Sequence, residues 1–271
     1  MSFGPNPWQQ TQWDWRAAGN FMGGGAGAGL IVFAVLASTG ATWLLMLTGV
    51  ALVGTGLCCV ALEIGRPLRA LRVFANPRSS WMSREAIVAT LLMPATLAAA
   101  MGLPGMRWLA GALALAFVYC QSRILCAAKG IPAWREPLVM PLIVLTGLTE
   151  GAGLALLLQP AQVFYEPRLL ALGCAVALAR LAVSWAYRRR LAARARAALD
   201  APIRWMQIAD ATAVLLLLAL AATGTAALPL IASLGLLLAA TGASLKYVLI
   251  TRAGFNQGFA LVHLPVRGVR R

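Results

Sequence analysis

Apolar residues in this chain gather into runs of about 20, the length an α-helix needs to cross the roughly 30 Å hydrocarbon core of a bilayer. The runs cover residues 17–38, 42–62, 84–101, 107–126, 137–158, 167–185, 205–224 and 228–250, and the stretches between them hold nearly all of the arginine. This pattern predicts an all-α integral membrane protein with eight transmembrane helices. A tryptophan-rich interfacial segment (1–16) precedes the helical domain (17–250), and a polar cytoplasmic segment (251–271) follows it. Trp8, Trp13 and Trp15 suit a segment resting at headgroup level. Residues 1–16 hold no short apolar core with a small-residue cleavage site, so the first helix is expected to be retained.

Composition strengthens the membrane reading. The chain is 61% hydrophobic and 11% charged, with a mean hydropathy of +0.78, far from a soluble domain. A formal charge of +15 could indicate nucleic-acid binding, but arginines confined to loops between apolar runs are the signature of cytoplasmic membrane loops. An even number of spans puts both termini on one side. Arg16, the arginines from Arg66 to Arg84, Arg123, Lys129, Arg135, the group Arg188 to Arg204, Lys246 and Arg252 fall on that side, and only Arg107 and Arg168 fall opposite. The positive-inside rule then makes both termini cytoplasmic in a multi-pass inner-membrane protein.

The longest connection of the N-terminal half runs from Glu63 to Glu85 with five arginines, and is too polar to lie in hydrocarbon. Glu63 and Arg66, one turn apart, could form a surface ion pair or line the mouth of a site. Ser83 suits an N-cap for the third span, with Glu85 at the positive end of that helix. The first span opens with a glycine-rich run. No strand precedes it and no Gly-Lys-Ser/Thr follows, so it is not a phosphate loop. Gly23 with Gly27, and Gly25 with Gly29, have the spacing that lets membrane helices touch. The alternative use of that bare face is to admit a flat ligand.

Three charged residues lie well inside apolar runs: Glu150, Arg180 and Asp210. Burying a charge there costs a few kcal/mol, so Glu150 must be protonated or paired, and Arg180 can pair with Asp210 across neighbouring helices. Residues 187–202, rich in arginine and helix formers, predict a short surface helix on anionic lipid, or a dock for an acidic partner. The stretch 251–268, with Asn256, Gln257 and His263 among apolar residues, reads as a segment folded back onto the protein. Cys58, Cys59, Cys120, Cys126 and Cys174 lie in apolar runs without a CxxC pair and read as small core residues. With His263 the single histidine, a haem held between two histidines cannot be built from this chain alone.

The order of motifs resembles the membrane-anchor subunits of molybdopterin oxidoreductases, of the dimethyl sulfoxide reductase anchor and polysulfide reductase membrane-subunit type. The likeness rests on the eight spans, Gly-Arg-Pro-Leu-Arg-Ala from Gly65 to Ala70, Ser-Ser-Trp-Met-Ser-Arg-Glu from Ser79 to Glu85, Thr-Glu-Gly from Thr149 to Gly151, and the Asn-Gln-Gly-Phe-Ala tail. Trp13 to Phe21 and Phe255 to Ala260 resemble most the branch serving phenylacetyl-CoA:acceptor oxidoreductase. The resemblance implies two four-helix bundles and a haem-free subunit that binds quinone (menaquinone or ubiquinone). It further implies partners: an iron–sulfur subunit and a molybdopterin catalytic subunit, which carry the clusters and the molybdenum. Some family members hold these partners on the outer face, whereas the basic loops here point inward.

On this reading the quinone pocket is expected near the cytoplasmic face. Arg16, Asn20, Arg66, Gly23 and Gly27 would contact the ring, and Glu63 and His263 would deliver protons. Glu150, Arg180 and Asp210 would form a proton path, and Arg78, Trp81 and Arg84 would dock the partner. No metal ligands are expected. A secondary transporter using Glu150, Arg180 and Asp210 as substrate or ion ligands is the rival reading, and an assembly anchor without a quinone site of its own is a third.

Overall fold

The computed structural model describes Gly4 and residues 7–37, 42–62 and 67–258, with side chains from residue 71 onward in the last of these. The expected residues Glu63, Arg66 and His263 lie outside the described residues. Eight long helices account for most of the remainder: α1 (Trp15–Leu36), α2 (Thr42–Ala61), α3 (Trp81–Ala100), α4 (Met106–Ala127), α5 (Val139–Leu158), α6 (Pro167–Arg190), α7 (Ala193–Thr223) and α8 (Leu228–Thr251). Seven of them are long and apolar enough to cross a membrane. The exception is α3, which has 20 residues but whose apolar content is diluted by Arg84, Glu85, Thr90, Pro94 and Thr96.

The long helices pack as two rings of four. In the first, α1 touches α2, α2 touches α3, α3 touches α4, and α4 returns to α1; in the second, α5, α6, α7 and α8 close the same way. The rings are joined chiefly where α1 lies on α5. Leucines and tryptophans such as Trp43, Leu91, Leu115, Leu178 and Leu215 stay exposed on the outside, as they would be against lipid. Lipid tails are as apolar as these side chains, so a membrane helix gains little from hiding them, and contact between the helices comes from close packing instead.

Glycine provides that packing. A methyl at Gly23 would lie 2.7 Å from the Leu52 carbonyl oxygen, and one at Gly27 would lie 2.9 Å from Leu52 Cβ. That face of α1 is therefore pressed on α2. The alternate face meets α5, where a methyl at Gly29 would strike the Gly147 carbonyl and one at Gly151 the Gly29 backbone. Both small-residue spacings are used for helix contact, one on each neighbour. The expectation that Gly23 and Gly27 admit a quinone ring is corrected here, because α2 backbone fills the space.

Three local features differ from the sequence reading. α3 begins at Trp81 and is capped by Ser80, whose hydroxyl accepts from the Ser83 amide at 3.3 Å, so Ser83 is not the cap. Residues 187–202 do not form a separate surface helix. α6 runs on to Arg190, and after Leu191 and Ala192 the chain enters α7, which has 31 residues. At 1.5 Å per residue α7 is about 46 Å long, more than the hydrocarbon needs, so its first turns project past it. Cys58 is exposed on α2, unlike Cys120 and Cys174, which sit in the interior.

The two terminal segments meet at the end of the bundle where α1 begins and α8 ends. Gln9 and Phe255 form an isolated antiparallel bridge, the Gln10 amide donates to the Gly254 carbonyl at 2.8 Å and the Asn256 amide to the Trp8 carbonyl at 3.0 Å. Asn256 Oδ1 also accepts from the Trp8 amide at 3.1 Å. The expected fold-back of the C-terminal segment is thus seen over its described part, and its partner is the N-terminal segment. Beneath it, Trp134 is buried and donates through Nε1 to the Leu249 carbonyl at 2.9 Å.

Candidate functional site

Each long helix except α2 buries a charged or amide side chain, namely Asn20, Glu85, Gln121, Glu150, Arg180, Asp210 and Lys246, and these lie close together in the interior. α1 carries a π-helical turn over Asn20–Gly24. Such turns put carbonyls out of step with the amides that would normally satisfy them, and they concentrate at functional sites. Here the Phe21 carbonyl accepts from Lys246 Nζ at 2.9 Å. The same ammonium reaches Glu150 Oε2 at 2.6 Å, with both side chains fully buried. The sequence reading had grouped Lys246 with the loop cations; it lies inside α8 and supplies the partner Glu150 requires.

The chain of groups extends both ways. Arg180 on α6 holds Asp210 on α7 through two contacts, Nε to Oδ2 at 3.0 Å and Nη2 to Oδ1, again without solvent exposure. Gly242 on α8 is the meeting point of the two ion pairs: a methyl there would lie 2.7 Å from Glu150 Oε1 and 2.9 Å from Arg180 Nη1. Toward the terminal end, Gln121 on α4 donates to the Asn20 carbonyl at 2.9 Å, and Asn20 Nδ2 donates to Glu85 Oε1 on α3 at 3.1 Å. The Gln121 side chain also faces the Glu85 carboxylate. Gly25 separates Gln121 from Lys246, and a methyl at that position would lie 3.3 Å from Gln121 Oε1 and collide with the ammonium.

Two acids and two bases in apolar surroundings are tolerable only as pairs, because a lone buried charge costs several kcal/mol. The pairing leaves spare capacity. Asn20 Oδ1, Gln121 Oε1 and Glu150 Oε1 are buried acceptors with no protein donor among the described residues, and buried acceptors of this kind normally find a donor in water. The polar chain stops short of the far end. Ala177, Ala213, Leu217 and Leu238, next to Arg180 and Asp210, line an apolar cavity of about 10 Å³, scarcely the space of one water.

Of the expected pocket residues, Arg16 and Asn20 stand one turn apart at the start of α1. Arg16 pairs with Asp14 at 2.8 Å and donates to the Leu62 carbonyl at 3.3 Å, where α2 ends. Its guanidinium holds the Asp14 carboxyl below the usual carboxylate range, while Asp14 Oδ1 caps α1 by accepting from the Arg16 amide at 2.8 Å. Asn20 is one turn further along the same helix, buried, with its backbone against Gly56 of α2. Of the residues expected to dock a partner, Arg78 is exposed. Arg84 folds the connection by donating to the Pro77 and Arg78 carbonyls, each at 2.8 Å. Trp81 is stacked by Arg84 at 4.1 Å and by Arg123 at 4.8 Å from its ring centroid.

Glu85, Gln121 and Lys246 were missed as site residues. The position of Lys246, 18 residues after the start of the last apolar run at 228, was the available signal that it could not be a loop cation.

The fold and this interior define a multi-pass helical membrane protein with a hydrogen-bonded core of paired acids and bases. No protein-family model and no curated protein matches the chain.

Proposed function

We propose that this chain is the haem-free membrane subunit of a molybdopterin oxidoreductase complex, exchanging electrons between quinone and an iron–sulfur partner while its interior handles the accompanying protons. The observation that carries the reading is a row of buried polar groups in two clusters, Glu85 with Asn20 and Gln121, then Lys246 with Glu150 on the other side of Gly25, which leads from the terminal end of the bundle into its centre. Reducing a quinone consumes two electrons and two protons. The electrons come from the partner's cluster, and the protons need titratable groups near the ring. In this proposal the ring lies at the Arg16 and Asn20 end, with Glu63, Arg66 and His263 as its further partners; the described carboxylates there are Asp14, held by Arg16, and Glu85, which is buried and accepts from Asn20 Nδ2. All eight long helices cross the inner membrane, α3 with Arg84 and Glu85 at its edge, and both termini are cytoplasmic. The basic end then faces an iron–sulfur and molybdopterin pair in the cytoplasm, where an acyl-CoA substrate is found.

The rival, a secondary transporter, would have to open a substrate site among the same ion pairs, where the adjoining cavity holds about 10 Å³. The deciding experiment isolates the protein from its native membrane and follows quinone-linked electron transfer in the intact complex. An iron–sulfur partner should co-purify, and Glu85→Gln should lower turnover about 10²-fold, as loss of a proton-transferring group does. The same assay with E63Q and H263A tests the other two expected proton donors. Isolation without any redox partner sinks the proposal; unchanged turnover in all three variants moves the quinone away from this end.

A further inference from the structure

The end of α6 and the start of α7 carry a basic pocket that the interior chain does not use. Trp185, Arg188, Arg189 and Arg196 line a surface pocket of about 390 Å³. The Arg189 guanidinium lies over the Trp185 ring at 3.4 Å from its centroid, which sets its plane, and half of the indole remains exposed. Arg196 Nη2 donates to the Arg189 carbonyl at 3.0 Å and the Leu191 carbonyl at 3.1 Å. Those contacts tie it to the end of α6 and leave the rest of its guanidinium toward solvent. The carboxylates nearby are committed elsewhere: Asp200 is shared by Arg188 and Arg204, and Glu136 is held by Arg190 at 3.2 Å. Among the described ion pairs neither Arg189 nor Arg196 has an acidic partner.

The pocket also has an apolar approach. Leu178, Ala182 and Trp185 are exposed along one face of α6 at helical spacing, and Arg189 continues that line. An apolar stripe facing lipid, crowned by a half-exposed indole and two forked cations, is complementary to an amphiphile with an anionic head. Guanidinium forks match phosphate oxygens, and tryptophan favours the depth where headgroup meets acyl chain. We propose that this pocket is a binding site for an anionic phospholipid. The phosphodiester sits between Arg189 and Arg196, and an acyl chain lies along Trp185, Ala182 and Leu178.

The test uses the full chain in neutral detergent, with phosphatidylglycerol retention read by native mass spectrometry against phosphatidylcholine. The expected result is preferential retention of phosphatidylglycerol, lost about 30-fold in R189Q/R196Q, since each cation at a membrane surface contributes about 1 kcal/mol. Removing two exposed charges elsewhere, with R72Q/R252Q, should leave retention intact, and excess inorganic phosphate should not displace the lipid. Equal losses in the two double variants would reduce the effect to net charge and overturn the site. Displacement by phosphate alone would overturn the role of the acyl stripe. Retention by R189Q/R196Q at the wild-type level would overturn the proposal outright, and saturation of the pocket by an acidic protein partner in native membranes would assign it to docking instead.

Discussion

Lys246→Met offers the sharpest test of the interior. The substitution keeps length and packing in α8 but removes the ammonium that Glu150 Oε2 meets at 2.6 Å and the Phe21 carbonyl at 2.9 Å. Glu150 already has one buried oxygen without a donor, so the variant leaves its carboxylate with no hydrogen-bonded cation and only the Arg180 guanidinium, already committed to Asp210, near it. Breaking a buried pair from one side costs about 3–5 kcal/mol, whereas replacing both partners by neutral groups is often close to neutral. At about 2–4 °C per kcal/mol for a chain near this size, K246M should lower the unfolding midpoint in detergent by roughly 10 °C. The double variant E150Q/K246M should recover most of that loss. A single and a double variant that fall equally would show that the cost is lost packing, and the argument from paired charge would fail.

A methyl at Gly151 would strike the Gly29 backbone, while one at Gly173 meets nothing closer than Ala152 Cβ at 3.7 Å. Gly151→Ala should therefore cost about 1–3 kcal/mol or prevent folding, and Gly173→Ala should be tolerated, as thermal unfolding of the two would show. Ser80→Ala removes the acceptor for the Ser83 amide and should cost about 1 kcal/mol, with amide exchange increased in the first turn of α3. Asp14 titrates below its ordinary value because Arg16 stabilises the charged form. Its contribution is present above the unfolded carboxylate value and is lost as pH falls through the lowered one. Asp14→Asn should accordingly flatten the acid limb of stability measured in that range.

The all-helical membrane class with seven of the eight expected spans, the pairing of Arg180 with Asp210 and the two glycine faces of α1 were readable in the sequence because each follows from a local rule: run length, the cost of a lone charge, or four-residue spacing. Residues 187–202 were misread for an equally physical reason. Their arginines look like a break in an apolar pattern, yet the end of α6 and the first turns of α7, two helices that outreach the bilayer, carry them on either side of a two-residue turn at Leu191 and Ala192. Lys246 and Glu85 were set aside because each lies near the end of an apolar run, where lysine ordinarily snorkels and an acid ordinarily serves the helix dipole. Only the packing of α8 on α5 and of α3 against α2 and α4 turns those side chains inward. Nor does any periodicity announce the π turn at Asn20–Gly24, since it shifts the register of α1 without changing which residue types face in.

The position of α1 between the rings also bears on how the protein is made. It is made before α2 to α8, yet one of its glycine faces fits a helix that begins more than 100 residues later at Val139, and the Lys246 ammonium that meets its Phe21 carbonyl comes from α8. Until α5 is made, α1 rests in the bilayer with one bare glycine face, and its Phe21 carbonyl waits longer still, for α8. A chain truncated before α8 would keep its first ring but leave Glu150 without its cation, a defect that quality control in the membrane could recognise.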